Sequence, residues 1–438
     1  MDNPLYLHEH FALPDESESR KRDGCYKGNP LLRWDLSIYA KLPEGVERKR
    51  DKDSFEWQTY YRIGAQWLDE KREQALVVTP KIENIDFTEM FLSCLESGLA
   101  VTDFSKIYDI DFDQPAVPTN KLDTVLTPLI IIHFLTVVEG IAKRGLKRGY
   151  VHREENLKKV KGRIRILANE RKNVIPRRFD RVYCQYNEFT VDIPENRLIK
   201  KALLFAQREL ARLPNFKHYS KLFLLENKCL AAFSQVSPEI ELRDVKLIKS
   251  HKLFREYDLA VKLAKTILRR NDYSLKKASD DKKPTPVFWL DMALLFEHYV
   301  YSILAKDHKK KIVYQFKSLS GKPDFLFIGE LNDELKNCIL DTKYILLDDK
   351  NDTYAKAKMR SIVRQLSGYA RDIKILAKLG YREQNWKNVV VPCVIIYPKL
   401  KTESESNKQI DLQHYEECEG WLEFYKIGVA LPREKQNG

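Results

Sequence analysis

GKPDFLFI (residues 321–328) and CILDTK (residues 338–343) are the two stretches that decide the fold of the C-terminal part of this 438-residue chain. Each contains an apolar run of strand length with an acid at one end: Asp324 opens the first run and Asp341 closes the second. An acid at the edge of a buried strand is costly unless it is paired or binds a cation. Because residues i and i+2 of a strand point to the same face, we expect Lys343 to project beside Asp341. If the two strands pair as a hairpin, Asp324 reaches the same place.

Two carboxylates and a lysine are the groups that metal-assisted cleavage of a phosphodiester needs. The carboxylates of Asp324 and Asp341 would hold Mg²⁺, a hard cation that prefers oxygen ligands. The metal would polarise the phosphate and lower the pKa of a bound water, while Lys343 would position that water or stabilise charge developing on phosphorus. The competing interpretation is a surface ion pair, because Pro-Asp and Asp-x-Lys are each common by chance.

The segments around these two strands favour a site over a chance ion pair. We predict two helices and two further strands, over residues 287–305, 354–379, 312–316 and 389–397. Glu297 lies on the first helix and Gln365 on the second, and either side chain could orient a metal or a water. The succession of elements predicts a mixed β-sheet flanked by helices over residues 276–438.

The rest of the chain divides into two predicted domains, so the fold class is multidomain α+β or α/β. Residues 1–115 are expected to form a partly β domain, with strand-like segments over 60–68 and 75–82 joined by a charged turn. Residues 116–275 are expected to be mainly helical, because apolar residues recur at helical spacing, most clearly over 122–142 and 196–213. An aperiodic polar stretch over 271–284 predicts a linker to the third domain.

The charge of the chain is strongly basic, with a formal net charge of +13. Such an excess suggests a polyanionic partner, and DNA is the partner that fits the predicted site. Residues 143–181 are the most basic stretch, with 15 Lys or Arg residues against four acids. This stretch is either a solvated face or a surface that contacts phosphate or an acidic partner. The residues proposed for that contact are Lys158, Lys159, Lys161, Arg163 and Arg165.

The distribution of cysteines and the hydropathy of the chain indicate in which cellular compartment the protein is located. The seven cysteines are scattered and form no CxxC pair, which argues against a disulfide framework and a structural zinc site. The longest apolar run, LIIIHFLTVV over 129–138, is too short to span a bilayer and is expected to be a buried helix. No signal pattern begins the sequence. We therefore expect a cytoplasmic protein with no membrane segment.

Four segments of the chain resemble McrC, the nuclease subunit of McrBC-type modification-dependent restriction systems and a nuclease of the PD-(D/E)XK type. They are DM followed by LFEHYV (291–292 and 295–300), KPD (322–324), ILDTKY (339–344) and QLSGY (365–369). Weaker matches upstream are KGRI (161–164), Tyr186 with Glu188, and ENRLIK (195–200). The resemblance covers roughly residues 120–400, and the order of the motifs is more specific than the catalytic motif alone.

The resemblance implies that Asp324, Asp341 and Lys343 are catalytic, with Mg²⁺ as cofactor. It also implies a partner, a hexameric AAA+ GTPase of the McrB type that translocates DNA and whose GTP hydrolysis this chain stimulates. The sequence contains no GxxxxGK[ST] loop, so we expect the chain not to hydrolyse nucleotide itself. The first hundred residues are additional to the short form of the family. They could dock the motor or contact DNA. Double-strand cleavage would be served by transient pairing of two complexes.

Three other functions stay open from the sequence. The chain could be a stand-alone PD-(D/E)XK nuclease, although it contains no helix-turn-helix or zinc motif that would read DNA. It could be a non-catalytic adaptor that activates a motor, or a basic nucleic-acid-binding protein whose acids form structural ion pairs. Substitution of Asp341 by Ala separates these functions, because it should abolish cleavage alone.

Overall fold

The computed structural model describes a mixed α/β chain, which confirms the predicted class. It describes residues 4–9, 46–51, 54–59, 61–67, 72, 75–96, 106–111, 114–119, 121–212, 220–241, 255–276, 284–308, 310–331, 335–347, 353–399 and 415–433. Two compact units result from the contacts between residues. Unit 1 comprises residues 1–129 and 280–438, and unit 2 comprises residues 130–279.

Strands and helices are numbered here in chain order within the described residues. The strands are β1 Leu5–His8, β2 Val46–Asp51, β3 Ser54–Thr59, β4 Arg62–Trp67, β5 Ala75–Thr79, β6 Tyr108–Asp111, β7 Val117–Pro118, β8 Gly149–Leu157, β9 Arg163–Ile164, β10 Val182–Thr190, β11 Pro284–Thr285, β12 Val287–Asp291, β13 Ile312–Tyr314, β14 Phe325–Glu330, β15 Lys336–Thr342, β16 Cys393–Lys399, β17 Glu416–Glu417 and β18 Phe424–Ala430. The helices are α1 Phe87–Glu96, α2 Asp123–Arg144, α3 Ile166–Asn169, α4 Pro194–Arg212, α5 Ser220–Ala232, α6 Arg255–Lys276, α7 Met292–His308, α8 Thr353–Ala370 and α9 Ile373–Lys378.

The first sheet of unit 1 has five strands in the order β1-β5-β4-β12-β6. β4 and β5 pair antiparallel, as the hairpin prediction requires, and β1 adds in parallel to β5. β12 lies between β4 and β6, although it is about 220 residues later in the sequence than β4. The sheet therefore contains strands from both the first and the third predicted domain, and the contact division joins those two segments. Independent folding of the three predicted segments stays a prediction.

The prediction of a helix over 287–305 is wrong at its start, because Val287–Asp291 is β12 and the helix begins at Met292. The side chains of residues 287–290 are all buried, and the backbone pairs with a neighbour on each side. Asp291 ends the strand and caps the helix, since its Oδ1 accepts a hydrogen bond from the Leu294 N–H at 3.0 Å. A central strand with both faces covered has no polar alternation to distinguish it from a helix.

The second sheet of unit 1 has six strands in the order β13-β14-β15-β16-β18-β17. β14 and β15 form the predicted antiparallel pair, while β16 and β18 continue from β15 in parallel. The centre of the sheet is apolar and fully buried, including Phe325, Leu326, Ile339 and Leu340. Because consecutive residues of β14 and of β15 are buried, both faces of this pair are covered.

The predicted helix over 354–379 is two helices, α8 and α9, which meet at Arg371 and Asp372. Asp372 has extended backbone and accepts a hydrogen bond from the Lys374 N–H at 2.9 Å, so it is the N-cap of α9. The predicted linker over 271–284 is also partly wrong, since α6 continues to Lys276; residues 277–283 lie outside the described residues.

Unit 2 combines helices α4, α5 and α6 with a three-stranded sheet in the order β8-β10-β9. The predicted apolar face of α4 is buried: Leu198, Ile199, Ala202, Leu203, Ala206 and Leu210. The basic stretch 143–181 supplies the end of α2, strands β8 and β9, and α3. Its strand β8 pairs with β10 over nine residues, so this part of the mainly helical domain is a long antiparallel hairpin.

Helix α2 contains the apolar run over 129–138. Within the described residues it is the single helix long and apolar enough to cross a membrane, from Val125 to Arg144, and most of that segment is buried inside the structure. A buried core helix of a globular protein has the same composition, as the sequence predicts for this run.

Candidate active site

Asp324 and Asp341 lie at the ends of two paired strands. In the antiparallel pair β14–β15, Phe325 is opposite Leu340, and continuation of this register places Asp324 opposite Asp341. The Asp324 carboxylate is fixed from β15 by Thr342, whose backbone N–H and hydroxyl donate to Oδ2 at 2.7 and 2.6 Å. The structure therefore brings together the two acids that the sequence places at strand ends, and Thr342 is a positioning residue that the sequence did not reveal.

Lys343 contacts Asp341 directly. Its Nζ forms an ion pair with Asp341 Oδ2, and the side chains are 20% and 1% exposed, respectively. The backbone N–H of Lys343 donates to the Ile396 carbonyl on β16 at 2.8 Å, which holds this residue in the sheet. The i, i+2 spacing thus puts an almost fully buried carboxylate and a half-buried ammonium side by side.

The electrostatics of this pair depend on Asp324. Burial and, to a smaller extent, the Asp324 carboxylate raise the pKa of Asp341 to about 6, although Lys343 opposes both effects. Burial lowers the pKa of Lys343, but the carboxylates of Asp341 and Asp324 outweigh it, so this pKa is raised. Lys343 is therefore a permanent cation at neutral pH, whereas the acidic pair carries more negative charge than one lysine balances.

Glu297 adds a third carboxyl group to the same place. It lies on α7, and burial followed by the nearby Asp324 carboxylate raises its pKa to about 7. Gln315 donates from Nε2 to Glu297 Oε1 at 2.9 Å, and its backbone N–H donates to the Asp324 carbonyl at 2.8 Å. Gln315 has a positive φ of 46°, which is uncommon for a residue with a side chain. This conformation lets one residue hold both Glu297 and the start of β14.

Gln365 reaches the site through Tyr369, not through the carboxylates. Its Nε2 donates to Tyr369 Oη at 3.1 Å, and that hydroxyl donates to the Lys322 carbonyl at 3.4 Å. Tyr369 is also close enough to Lys343 to affect its pKa. The predicted supporting residue Gln365 thus contacts Tyr369, a tyrosine on α8 whose hydroxyl donates to the carbonyl of Lys322, two residues before Asp324.

The loop that leads to Asp324 is fixed at a second point by Asp372. Its Oδ2 accepts hydrogen bonds from the Ser320 N–H and hydroxyl at 2.7 and 2.8 Å. Burial opposes ionisation, but these bonds and the one from Lys374 lower the pKa of Asp372 to about 2. Gly321 follows with φ of +134°, and a Cβ there would lie 3.2 Å from the Tyr369 ring. Only glycine fits this position without strain.

Tyr344, directly after Lys343, belongs to a buried polar network. Its Oη donates to Glu9 Oε1 at 3.0 Å, and Lys81 Nζ donates to its carbonyl at 2.6 Å. The Lys81 ammonium lies 4.0 Å from the centroid of the Tyr344 ring. Burial raises the pKa of Glu9 and lowers that of Lys81. The residue next to the catalytic candidate is therefore held by Glu9, directly after β1, and by Lys81, shortly after β5.

A divalent cation suits the acidic cluster. Within the described residues, no group of three or more His, Cys, Asp or Glu is arranged to hold a metal. Mg²⁺ does not need such a cage, since it is commonly bound by one or two carboxylates together with water and substrate phosphate. Burial and the nearby Asp324 carboxylate both raise the pKa of Asp341, so a bound cation would stabilise its ionised form. Asp324 and Asp341 therefore fit Mg²⁺.

The basic residues singled out in the sequence lie in unit 2, on and beside β9. Lys161 pairs with Glu188 at 3.2 Å and Arg165 with Glu154 at 3.5 Å, so two of the five are bound to carboxylates of the same sheet. Lys158, Lys159 and Arg163 are exposed. Large apolar side chains are exposed in the same stretch: Val160, Ile166, Leu167, Val174, Ile175 and Phe179. A stretch whose exposed residues are both basic and apolar is typical of an interaction surface, and the charge pattern of the sequence predicts only its basic part.

A family model described as "McrBC 5-methylcytosine restriction system component" matches residues 67–378. The chain belongs to this family. The match includes Glu297, Asp324, Asp341, Lys343 and Gln365, and it also includes the basic hairpin of unit 2. The resemblance read from the sequence is confirmed at this level: the protein is an McrBC restriction-system component.

Two solved structures from Thermococcus gammatolerans are similar to this McrBC component at 16% sequence identity. The first, a half-complex from a tetradecameric assembly of McrB AAA+ hexamers with bound McrC, has a TM-score of 0.36, with 98% of this chain and 94% of that chain covered. The second, the McrBC complex, has a TM-score of 0.31, with 83% and 99% covered. These scores are too low to support a comparison of details. No curated protein matches the chain.

Proposed function

We propose that this McrBC component is the nuclease subunit of its system, a Mg²⁺-dependent endodeoxyribonuclease of the PD-(D/E)XK type. The observation that supports the proposal is the convergence of Asp324, Asp341 and Lys343 at the ends of two paired strands. Structural ion pairs also perturb pKa values, but here two carboxylates at paired strand ends lie beside one lysine, and Glu297 is close enough to Asp324 for its pKa to be raised. Membership in a restriction-system family makes DNA the substrate that fits the site.

Asp324 and Asp341 would hold the metal, which when bound supplies Lewis acidity toward the phosphate and lowers the pKa of a water. Lys343, a cation at neutral pH, would donate from Nζ to a non-bridging phosphate oxygen and stabilise the negative charge that grows as water attacks. A bond forms between the water oxygen and phosphorus while the bond from phosphorus to the leaving sugar oxygen breaks. Glu297, with a pKa of about 7, is suited to accept the proton of that water.

The positioning residues give this site its order before substrate arrives. Thr342 orients the Asp324 carboxylate, Gln315 orients Glu297, and Tyr369 with Asp372 fixes the loop over 318–322. A site whose groups are held within a few tenths of an ångström needs little reorganisation during the reaction.

We further propose that the chain works with an McrB-like AAA+ GTPase hexamer, whose GTP hydrolysis it stimulates. The family assignment supports this partner, and so does the lack of a phosphate-binding GxxxxGK[ST] loop in the chain itself. The basic and apolar face of unit 2 is suited to contact such a partner or DNA. Pairing of two such complexes would bring two active sites to one duplex.

The test is a plasmid cleavage assay with Mg²⁺, with and without the McrB-like motor and GTP, on the wild-type chain and Asp341→Ala. Cleavage that needs the motor and GTP and is lost in the variant supports the proposal. Glu330→Gln is the matched control, because it removes an exposed carboxylate from the far end of β14 and should cleave normally.

Two other results would replace the proposal with an alternative. Cleavage without the motor, still lost in Asp341→Ala, would indicate a stand-alone nuclease. Stimulated GTP hydrolysis with no cleavage under any condition would indicate an adaptor.

A further inference from the structure

The solvent-facing side of α8 is basic and polar. Arg360 and Arg364 are exposed on the helix, and Arg371 is exposed directly after it. None of the ion pairs that the structure describes in unit 1 involves these three residues. The other exposed residues between 360 and 371 are Ser361, Gln365 and Gly368. The three arginines span about 16 Å along the helix direction, at 1.5 Å per residue.

Neither the backbone conformation nor the packing at Gly368 requires a glycine. It lies inside α8, its φ is not positive, and a Cβ built on it would meet nothing within 4 Å. Glycine is among the poorest helix formers, so alanine would make α8 more stable at no steric cost. Glycine at an exposed helix position that destabilises the fold is expected where another backbone must approach the helix closely.

The position of Gly368 connects the arginines to the active site. In projection down the helix, Arg364, Gly368, Gln365 and Tyr369 follow one another around the axis in steps of roughly 40–60°, as 3.6 residues per turn dictates. Tyr369 contacts the Lys322 carbonyl, two residues before Asp324, and influences Lys343. A chain lying along the arginines can therefore reach the acidic cluster across Gly368, where no side chain stands in its way.

We propose that Arg360, Arg364, Gly368 and Arg371, here called the α8 track, bind the sugar-phosphate backbone of the DNA strand that enters the active site. The arginines contact phosphates, and the bare helix at Gly368 lets the strand lie against α8 beside Gln365. This inference rests on the proposed nuclease function and extends it to how the substrate is held.

Charge favours a nucleic acid over a protein as the occupant. Protein interfaces are centred on buried aromatic or aliphatic side chains, whereas the exposed residues over 360–371 are arginine, serine, glutamine and glycine. Within the described residues these arginines form no ion pair, and their planar guanidinium groups are suited to bidentate contact with phosphate.

The test measures DNA binding and stability together in the full chain carrying Asp341→Ala, which prevents cleavage. The probes are a 30-base-pair duplex and a 30-nucleotide single strand of arbitrary sequence. Gly368→Ala is expected to raise Tm and to weaken binding about threefold, and Gly368→Gln to weaken it about tenfold or more. Arg364→Gln is expected to lower the slope of log affinity against log salt by about one, as loss of one phosphate contact predicts. Lys306→Gln, an exposed charge on α7, is the control for the loss of one positive charge.

The proposal is overturned if Gly368→Ala and Gly368→Gln raise Tm and bind both probes as tightly as the parent chain. It is also overturned if these variants bind DNA normally but lose stimulation of the motor's GTP hydrolysis, which would make α8 a protein contact. Because binding is measured without cleavage, the outcome is independent of the nuclease assay. If the wild-type chain cleaves DNA and the α8 variants bind DNA normally, the proposed α8 track is refuted and the proposed nuclease function is not.

Discussion

Thr342 gives both of its hydrogen-bond donors, the backbone N–H and the hydroxyl, to a single oxygen of Asp324 across the β14–β15 pair. The residue between Asp341 and Lys343 thus orients the acid of the opposite strand. The carboxylate of Asp324 cannot rotate without losing these two short hydrogen bonds. Catalytic geometry here depends on the register of the sheet as much as on the catalytic residues.

Replacing Thr342 by Val keeps the shape of the side chain and removes the hydroxyl. We expect the single-turnover cleavage rate to fall about tenfold, which corresponds to the ~1.4 kcal/mol that one charge-assisted hydrogen bond contributes. Thr342→Ser should restore most of the rate, because it returns the hydroxyl. Equal rates in the Val and wild-type chains would show that the backbone N–H alone orients Asp324.

Mg²⁺ should stabilise the folded chain through Asp324 and Asp341. A ligand that binds only the native state adds about 2.7 kcal/mol at a hundred times its Kd, so Tm should rise with Mg²⁺ concentration. Asp341→Asn should abolish this rise. The same variant should have a higher Tm than the wild type in EDTA, because it removes a buried carboxylate next to another. Glu330→Gln should respond to Mg²⁺ as the wild type does, and a Tm rise that persists in Asp341→Asn would place the metal elsewhere.

The pH dependence of stability should identify Glu297. Its pKa rises from 4.5 to about 7 on folding, so the native state binds a proton that the unfolded state has lost. The contribution of Glu297 to the free energy of unfolding is therefore fully present below about pH 4.5 and is lost as pH rises toward 7. In EDTA, the Tm of Glu297→Gln relative to wild type should increase between pH 5 and pH 7. A constant difference across this range would mean that Glu297 titrates normally and is not buried among acids.

Asp372 should behave in the opposite way. Its pKa falls from 3.8 to about 2 on folding, so its stabilisation is present above pH 4 and is lost as pH drops toward 2. Asp372→Asn should cost about 1 kcal/mol at pH 7, as removal of a charged N-cap does. It should also slow cleavage by loosening the loop over 318–322, while leaving motor stimulation unchanged. Lys374→Ala retains the carboxylate and its bonds to Ser320, and it is expected to cleave normally.

Sequence reasoning found the acids because their local signal is strong. Asp324 and Asp341 interrupt apolar strands, and Lys343 follows at the spacing that puts it on the same face. Their positioning residues carry no such signal, since Asp372 and Ser320 are 52 residues apart and meet only in the folded chain. Gln315 becomes informative only through its backbone conformation and its contact with Glu297.

Helices and strands can be predicted from the sequence where only one of their faces is buried. The amphipathic α4 and the hairpin β4–β5 show their periods in the sequence, and both are present. The sequence predicts the start of a helix where β12 lies, because both faces of this strand are buried and it lacks the alternation that reveals a strand. The break between α8 and α9 was missed because it depends on a cap, Asp372, whose carboxylate is held by a loop distant in sequence.

The place of β12 in the first sheet limits how this chain can be divided or can evolve. Dividing the chain into two pieces anywhere in the stretch 277–283 would take the interior strand β12 away from β4 and β6 and leave two open edges, which favour aggregation. The catalytic half cannot therefore be transplanted onto another front end by recombination at that junction. The N-terminal strands that pair with β12 and the segment that carries Asp324 and Asp341 therefore have to stay together in evolution.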